Sequence, residues 1–475
     1  MKKIIFGLLM LTTLNVAAQQ QRRNPRLDSL KNEKDQSVLQ QKLKGLEIGS
    51  EADMSLLMQY YYSTESAKAL TVGDNILKRY PKGDYAFIQV QNAIFTERSA
   101  SKQEAMYLDA KKNFPSADLN RIANQVSYTY VTEKNTVKAL QYLAEVKDAS
   151  YRPAVVQSIV EVMMSYDLKN AELLLGKEVE NARKLMDNGT ATEVAGGRAA
   201  DPKRNYYTYL NLYGAVLMQN GKEQEAFKYI KDVYANINQK DDALVKNYAY
   251  LLALNGNNEE ALPLLEKIVR QGKGDHKIKE ALRKAYSKVN PGNDVTTYLA
   301  SLEGELKSKI QGEVAKLLIS ETAPSFVVKD VNGKTVSLAD FKGKTIVLDF
   351  WATWCGPCKK SFPAMQMAVN KYKNDPNVKF LFIHTWERVA DPLTDARTYL
   401  SSNNYKFDLY MDTKDALTKD NPAVSLFGVS GIPAKFVIDG EGKTRFKITG
   451  FSGGNEAAVE ELTAMIETAK KKDKI

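Results

Sequence analysis

The sequence predicts a multidomain chain, an all-α helical repeat region followed by a C-terminal α/β domain. Three observations carry this expectation. From about residue 45 to about 320, apolar residues recur three and four apart, the helical period, with few strand-like alternations. Near Glu321 the texture changes to short β-branched runs alternating with amphipathic stretches, the pattern of an α/β domain. The chain's two cysteines, Cys355 and Cys358, sit where one such run meets one such amphipathic stretch.

With 475 residues the chain has room for about two to four domains, each with its own core. Its 44% hydrophobic and 26% charged content is ordinary for globular protein. The net charge of +10 is spread over positions that read as solvated helix faces, and the one dense run, Lys470 to Lys474, is a short tail. No nucleic-acid partner is expected from so diffuse an excess.

At the N-terminus, Lys2 and Lys3 precede an apolar stretch from Ile4 to Leu14 and the small residues Val16, Ala17 and Ala18. These are the parts of a secretory signal, predicted over residues 1–18 with cleavage after Ala18. Residues 19–44 read as a polar, loosely ordered linker. No other stretch approaches the roughly eighteen apolar residues needed to span a bilayer, and no cysteine near the cleavage point offers a lipid anchor. The mature protein is expected outside the cytoplasm, periplasmic or otherwise exported, soluble and without stable membrane insertion.

Within the helical region, residues 45–320, Tyr80–Pro81 and Phe114–Pro115 end helical patterns 34 positions apart. Gly214, Gly221, Ala226 and Ile230 recur as Ala249, Gly256, Ala261 and Leu265, each pair 35 apart. Small residues let antiparallel helices approach and a glycine turns the chain between them, so these two segments resemble tetratricopeptide repeats, which stack into a solenoid. Gly196, Gly197 and Pro202 suggest a break in the array. Tyr60, Tyr61, Tyr62, Tyr206 and Tyr207 are expected to pack between helices with hydroxyls at the edge. The region is a candidate surface for a protein partner.

Residues 321–475 read as the α/β domain. Two strands flank the Asn332–Gly333 turn, "KTIVLDF" is a buried central strand and "VKFLFIH" another, and a hairpin turns at Gly440–Gly442 before a closing amphipathic helix. Two cysteines three apart close too small a loop to stabilise a fold, so their pairing points to chemistry. At a helix N-terminus, unsatisfied amides favour the thiolate of Cys355, Cys358 lies within reach to resolve a mixed disulfide, and Pro357 stiffens the first turn without losing a hydrogen bond. This constellation performs thiol–disulfide exchange.

The segment "WATWCGPCK" resembles the thioredoxin active site. With Ala323–Pro324, Phe326 and "NGKTVSLADFKGK" it resembles the exported thioredoxin-like reductases of the TlpA and ResA type, over Glu321 to about Lys471. The resemblance implies a thioredoxin fold and a disulfide reductase without a bound cofactor, its redox centre being the Cys355–Cys358 pair. Its partners would be a disulfide-containing protein substrate and a thiol electron donor. It implies Cys355 as attacking and Cys358 as resolving cysteine, and Asp349 as a buried proton acceptor whose pKa burial raises. It implies Pro363 as the kink of the active-site helix and Ile432–Pro433 as a cis-proline loop facing the disulfide. Trp354, Gly356, Pro357, Ile432 and Pro433 then form the substrate-binding surface, with Trp351 packing. Residues Asp391 to Val424 look like the helix and strand that the TlpA-type group adds. No lysine partner for Asp349 can be placed from the sequence.

A metal site needs two ligands beyond the cysteines, and His276 and His384 stand far apart in the chain, so none is expected. Covalent haem attachment needs a histidine where Lys359 stands. A peroxiredoxin-like peroxidase would carry threonine at position 352, which is alanine. The non-enzymatic alternative is a partner-binding helical scaffold with an accessory thioredoxin fold. Direction of electron flow, substrate, donor and oligomeric state are not written in the sequence.

Overall fold

The computed structural model describes residues 24–188, 201–415, 417–418, 420–450 and 454–471. The signal-peptide expectation and the Gly196–Gly197 break lie outside these residues. The chain divides into two compact units, Met1–Ile237 and Asn238–Ile475.

The first unit is helical throughout its described length. Over residues 19–44, expected as a loose linker, the described part from residue 24 on carries two capped helices, Pro25–Lys31 and Gln36–Glu47. Asn24 and Asp35 accept the orphan amides at the two N-termini, and Leu30, Leu39, Leu43 and Leu46 are buried with Leu56 and Leu57. The polar composition hid a leucine at every third or fourth place, enough to bury one face of each helix. Further along, the helices Ser66–Arg79 and Ala100–Asn113 stop before Tyr80–Pro81 and Phe114–Pro115, as the X-Pro pairs predict. Between helices Pro202–Gln219 and Glu223–Asn236, a Cβ on Gly214 would sit 2.6 Å from the Ile230 side chain, so glycine is what lets them close. Gly221 turns the chain between the two at φ +72°. Tyr60, Tyr61 and Tyr62 pack half-buried on the first cluster, and Tyr206 and Tyr207 meet edge-on.

The second unit opens with helices α1 (Asp242–Leu254), α2 (Asn258–Arg270), α3 (His276–Val289) and α4 (Val295–Lys316). The strands follow: β1 (Glu321–Thr322), β2 (Val327–Asp330), β3 (Thr335–Ser337), β4 (Thr345–Trp351), β5 (Val378–His384), β6 (Leu409–Met411), β7 (Ala434–Ile438) and β8 (Lys443–Thr449). Helices α5 (Gly356–Tyr372), α6 (Pro392–Ser402), α7 (Pro422–Leu426) and α8 (Asn455–Lys470) complete the unit. One sheet runs in the order β1-β8-β7-β4-β5-β6-β2-β3, parallel through β4, β5 and β6 and antiparallel elsewhere.

Alternation along β4 sorts the core. Val347 and Trp351 face Cys358, Phe362 and Met365 of α5 and Met465 of α8, whereas Ile346, Leu348 and Phe350 face Phe326, Val424 and Phe427 on the opposite side. The helix and strand inside residues 391–424 are α6 and β6, and β6 carries β2 and β3 onto that edge of the sheet.

A change of secondary-structure class at Glu321 does not coincide with the compact units, because α2, α3 and α4 pack with the sheet domain. Val314 of α4 is buried in the α5–α8 core, and Ile319 donates its amide to the Arg445 carbonyl at 2.9 Å. Lys279 of α3 pairs with Glu303 of α4 at 2.7 Å and Glu456 of α8 at 2.8 Å. At the turn after α2, a Cβ on Gly454 would come 2.2 Å from the Gly272 carbonyl oxygen, a backbone approach open only to glycine.

Candidate redox site

Strand β4 ends at Trp351, the chain turns with Cys355 N–H bonded to the Ala352 carbonyl at 3.0 Å, and α5 starts at Gly356. Cys355 is the N-cap of α5, and its Sγ accepts the Cys358 amide at 3.1 Å. The helix therefore directs its orphan amides at this sulfur, the arrangement that stabilises a thiolate. Cys355 and Cys358 are joined in a disulfide. Cys355 is 3% exposed and Cys358 0%, so only the first sulfur can be approached from solvent. Pro357 occupies the first turn, and Pro363 lies inside the helix.

Gly356 and Pro357 are exposed, and nothing stands within 4 Å of where a Cβ on Gly356 would be, so the ground above the disulfide is open. Across from it, the Ile432 carbonyl oxygen lies 3.6 Å from Cys355 Sγ, and the Ile432–Pro433 peptide is cis. The rim on the other side is Trp354, 38% exposed, whose indole Nε1 donates to the Trp386 carbonyl at 2.9 Å. Trp351 is wholly buried, edge-on to Phe362 and His384. The structure thus gathers Trp354, Gly356, Pro357 and Ile432 at the surface around Cys355, with Cys358 and Pro433 buried beneath it.

Asp349 lies below that surface, 1% exposed on β4 and on the sheet face that packs α5. The lysine that sequence reasoning could not place is Lys435. In the antiparallel pairing of β4 with β7 it stands opposite Asp349, with Nζ 3.4 Å from Oδ2. Among the described residues, neither Asp349 oxygen nor Lys435 Nζ has a hydrogen-bond partner of good geometry. Burial pushes the Asp349 carboxyl above its ordinary range, and the nearby Lys435 charge opposes that shift without cancelling it. Burial likewise raises Glu461 of α8, again against Lys435. The available signal was a lone lysine in the buried run "AKFVI", but its partner depends on strand register, which sequence alone does not fix.

A second group missed in sequence is the loop after β5. Trp386 adopts φ +49°, and the Arg388 guanidinium stacks 3.6 Å above the Trp354 ring centroid. His384, set aside above as a metal ligand, is 1% exposed, neither ring nitrogen has a hydrogen-bond partner among the described residues, and burial lowers its pKa to about 4. Among the described residues no cluster of three or more metal-ligating side chains occurs.

Comparison with known proteins places this site in context. A family model described as the AhpC/TSA family matches residues 319–447. The Bacillus subtilis thiol-disulfide oxidoreductase ResA is 35% identical over 130 residues, 27% of this chain, and the chain spans 65% of that relative's length. The ResA protein of Bacillus thuringiensis subsp. konkukian is 35% identical over 137 residues, 28% of this chain and 72% of its own. A thiol:disulfide interchange protein structure from Chlorobium tepidum, described as a thioredoxin family protein, aligns at 26% identity and TM-score 0.26, covering 31% of this chain and 97% of that one. Through its C-terminal α/β region the chain belongs to the ResA family of thiol-disulfide oxidoreductases.

Proposed function

We propose that the protein is a thiol–disulfide oxidoreductase that reduces protein disulfides outside the cytoplasm through Cys355 and Cys358. The observation that carries this reading is the pair itself: a helix-capping, reachable Cys355 bonded to a fully buried Cys358. In the reduced protein the Cys355 thiolate attacks one sulfur of a client disulfide. The client S–S bond breaks, one client sulfur leaves as thiolate and a mixed disulfide forms. Cys358 then gives its thiol proton to Asp349 and attacks Cys355 Sγ, which releases the second client sulfur and closes the Cys355–Cys358 bond. Two electrons have passed to the client, and an external thiol donor must return two. Asp349 suits the base because burial moves its pKa towards the thiol range. The exposed Gly356–Pro357 turn and the Ile432–Pro433 loop receive the client backbone. Export as a soluble protein is part of the proposal and rests on the N-terminal signal pattern; no described helix is long and apolar enough to cross a membrane. The helical region serves to dock the client or another protein.

The Gly356–Pro357 dipeptide matches that of thioredoxin, whose potential near about −270 mV is a reductant's. Equilibrium titration of the full chain should give a value at or below about −250 mV, whereas about −120 to −180 mV would make it an oxidase or isomerase. Cys355→Ser should abolish turnover of a protein disulfide, and Cys358→Ser should hold the client as a mixed disulfide. Absence of any reversible couple sinks the enzyme reading and leaves the partner-binding scaffold. The AhpC/TSA match favours one further reading, a peroxidase, which peroxide-dependent oxidation of Cys355 would reveal; the alanine at position 352 stands against it.

A further inference from the structure

We propose that Arg388, stacked on Trp354, selects clients that carry an acidic side chain beside the disulfide cysteine. The inference rests on the oxidoreductase reading above and names the class of substrate it prefers. Trp354 immediately precedes the attacking Cys355 and is the exposed rim of the site, so a group held on its ring meets whatever flanks the client's cysteine. Arg388 is held there by a loop fixed at several points. Trp386 takes the left-handed backbone conformation and accepts the Trp354 indole N–H at 2.9 Å. The Glu387 carboxylate accepts from Asn421 Nδ2 at 2.8 Å and the Lys414 amide at 3.3 Å, while Lys414 Nζ donates to the Glu387 carbonyl at 2.8 Å. With its neighbour anchored, the next side chain is set over the indole, 3.6 Å from the ring centroid.

Among the described residues no ion pair is made to this guanidinium. The carboxylates close to it in the chain have other partners: Glu387 as above, Asp391 with the Thr394 amide at 3.1 Å, and Asp395 with the Thr353 hydroxyl. Among the described residues no carboxylate stands at ion-pair distance from Arg388, and its environment is partly desolvated, which disfavours an unpaired cation. The first turn of α5 has no acidic residue, and Lys359 and Lys360 follow Cys358 directly. A planar guanidinium already ordered on an aromatic face offers its fork of N–H donors to a carboxylate at little further loss of freedom. A client with Asp or Glu next to its cysteine supplies the missing partner, and one with Lys or Arg there is repelled.

The test uses the reduced full chain and three disulfide-linked peptides, identical except for Asp, Asn or Lys flanking the cysteine, with exchange followed by tryptophan fluorescence. At low salt the rates should rank Asp, then Asn, then Lys, spanning about fivefold, as an exposed charge pair supports. The spread should close towards about 0.5 M salt, where exposed charges are strongly screened. Arg388→Gln should collapse the spread and Arg388→Glu should invert it, an inversion no misfolded variant would produce. Equal rates for all three peptides in the unmodified protein, or a spread that Arg388→Gln leaves intact, overturn the inference. So does a uniform rate change across the peptides, which would mean that Arg388 acts on the Cys355 thiolate and not on the client. Failure to exchange with any peptide would overturn the oxidoreductase reading itself.

Discussion

Two lysine–carboxylate pairs, one in each compact unit, behave in opposite ways. In the helical unit Glu104 accepts Lys138 Nζ at 2.7 Å and the Tyr142 hydroxyl at 2.6 Å on one oxygen and the Tyr130 hydroxyl on the other. Burial pushes its pKa up, but these three donors outweigh burial and bring it down to about 2. In the sheet unit Asp349 faces Lys435 at 3.4 Å with no hydrogen bond to either oxygen, and burial wins, so its pKa rises. The opposite charge is common to both. What differs is the number of donors that stabilise the ionised form. A partly buried carboxylate held by three donors ties helices together, whereas a fully buried one left unanswered near a redox pair is available to take a proton.

The sharpest way to break the comparison is Asp349→Asn. Without a proton acceptor, release of the mixed disulfide by Cys358 should slow by about 10²-fold at neutral pH, the range of a lost general base. The pH profile of that step should lose the rise that tracks Asp349 ionisation in the unmodified protein. Stability should move the other way. The folded state keeps a proton that the unfolded state gives up near 3.8, so the native Asp349 destabilises the fold increasingly as pH climbs from 3.8 through its raised value. The Asn variant should therefore be more stable at pH 7, with the gain shrinking towards pH 4 in chemical unfolding. A variant that is both less stable and fully active would end the proton-acceptor role.

Glu104→Ala should do the reverse. Stranding Tyr130, Tyr142 and Lys138 should destabilise the helical unit by about 3 kcal/mol, while exchange with a small neutral disulfide is unchanged. Here the folded pKa lies below the ordinary 4.5, so the contribution is complete above about 4.5 and fades as pH falls towards about 2. Unfolding curves at pH 7 and pH 3 should show the difference between variant and unmodified protein narrowing at the lower pH. An equal difference at both would mean that packing, not charge, holds the tyrosines.

Sequence and structure agree where the signal is local. Every strand and helix expected between Glu321 and the C-terminal helix is found, because β-branched runs, an Asn-Gly turn and the Cys-x-x-Cys segment each specify their own stretch of chain. What sequence missed depends on residues far apart along it. Lys435 meets Asp349 only through the β4–β7 register, and Arg388 meets Trp354 across 34 positions. The close backbone approach of Gly454 to Gly272, across 182 positions, likewise has no local signal. The linker misreading has a different origin. Polar residues outnumber apolar ones between Gln19 and Lys44, yet the few leucines fall on one helix face, and spacing decides burial more than average composition does.

His384 offers the smallest effect and tests whether unanswered burial is general around the redox pair. Its ring lies edge-on to Trp351 with centroids 5.0 Å apart, neither nitrogen is hydrogen-bonded, and burial holds its pKa at about 4. In the unfolded chain the same histidine takes a proton near 6.5, so the unfolded state binds more protons as pH drops from 6.5 towards 4. The folded state should lose roughly 3 kcal/mol relative to it across that window, about 2 kcal/mol of it by pH 5. Asp349 pulls oppositely, since its contribution improves as pH falls, so total stability alone will not separate the two. Comparing His384→Leu with the unmodified protein in urea at pH 7.5, 6 and 5 isolates the histidine, and the variant should gain relative stability at each lower pH. A difference that stays constant across the three would mean that His384 titrates normally, and the contrast between answered and unanswered buried groups would then be confined to Asp349 and Lys435.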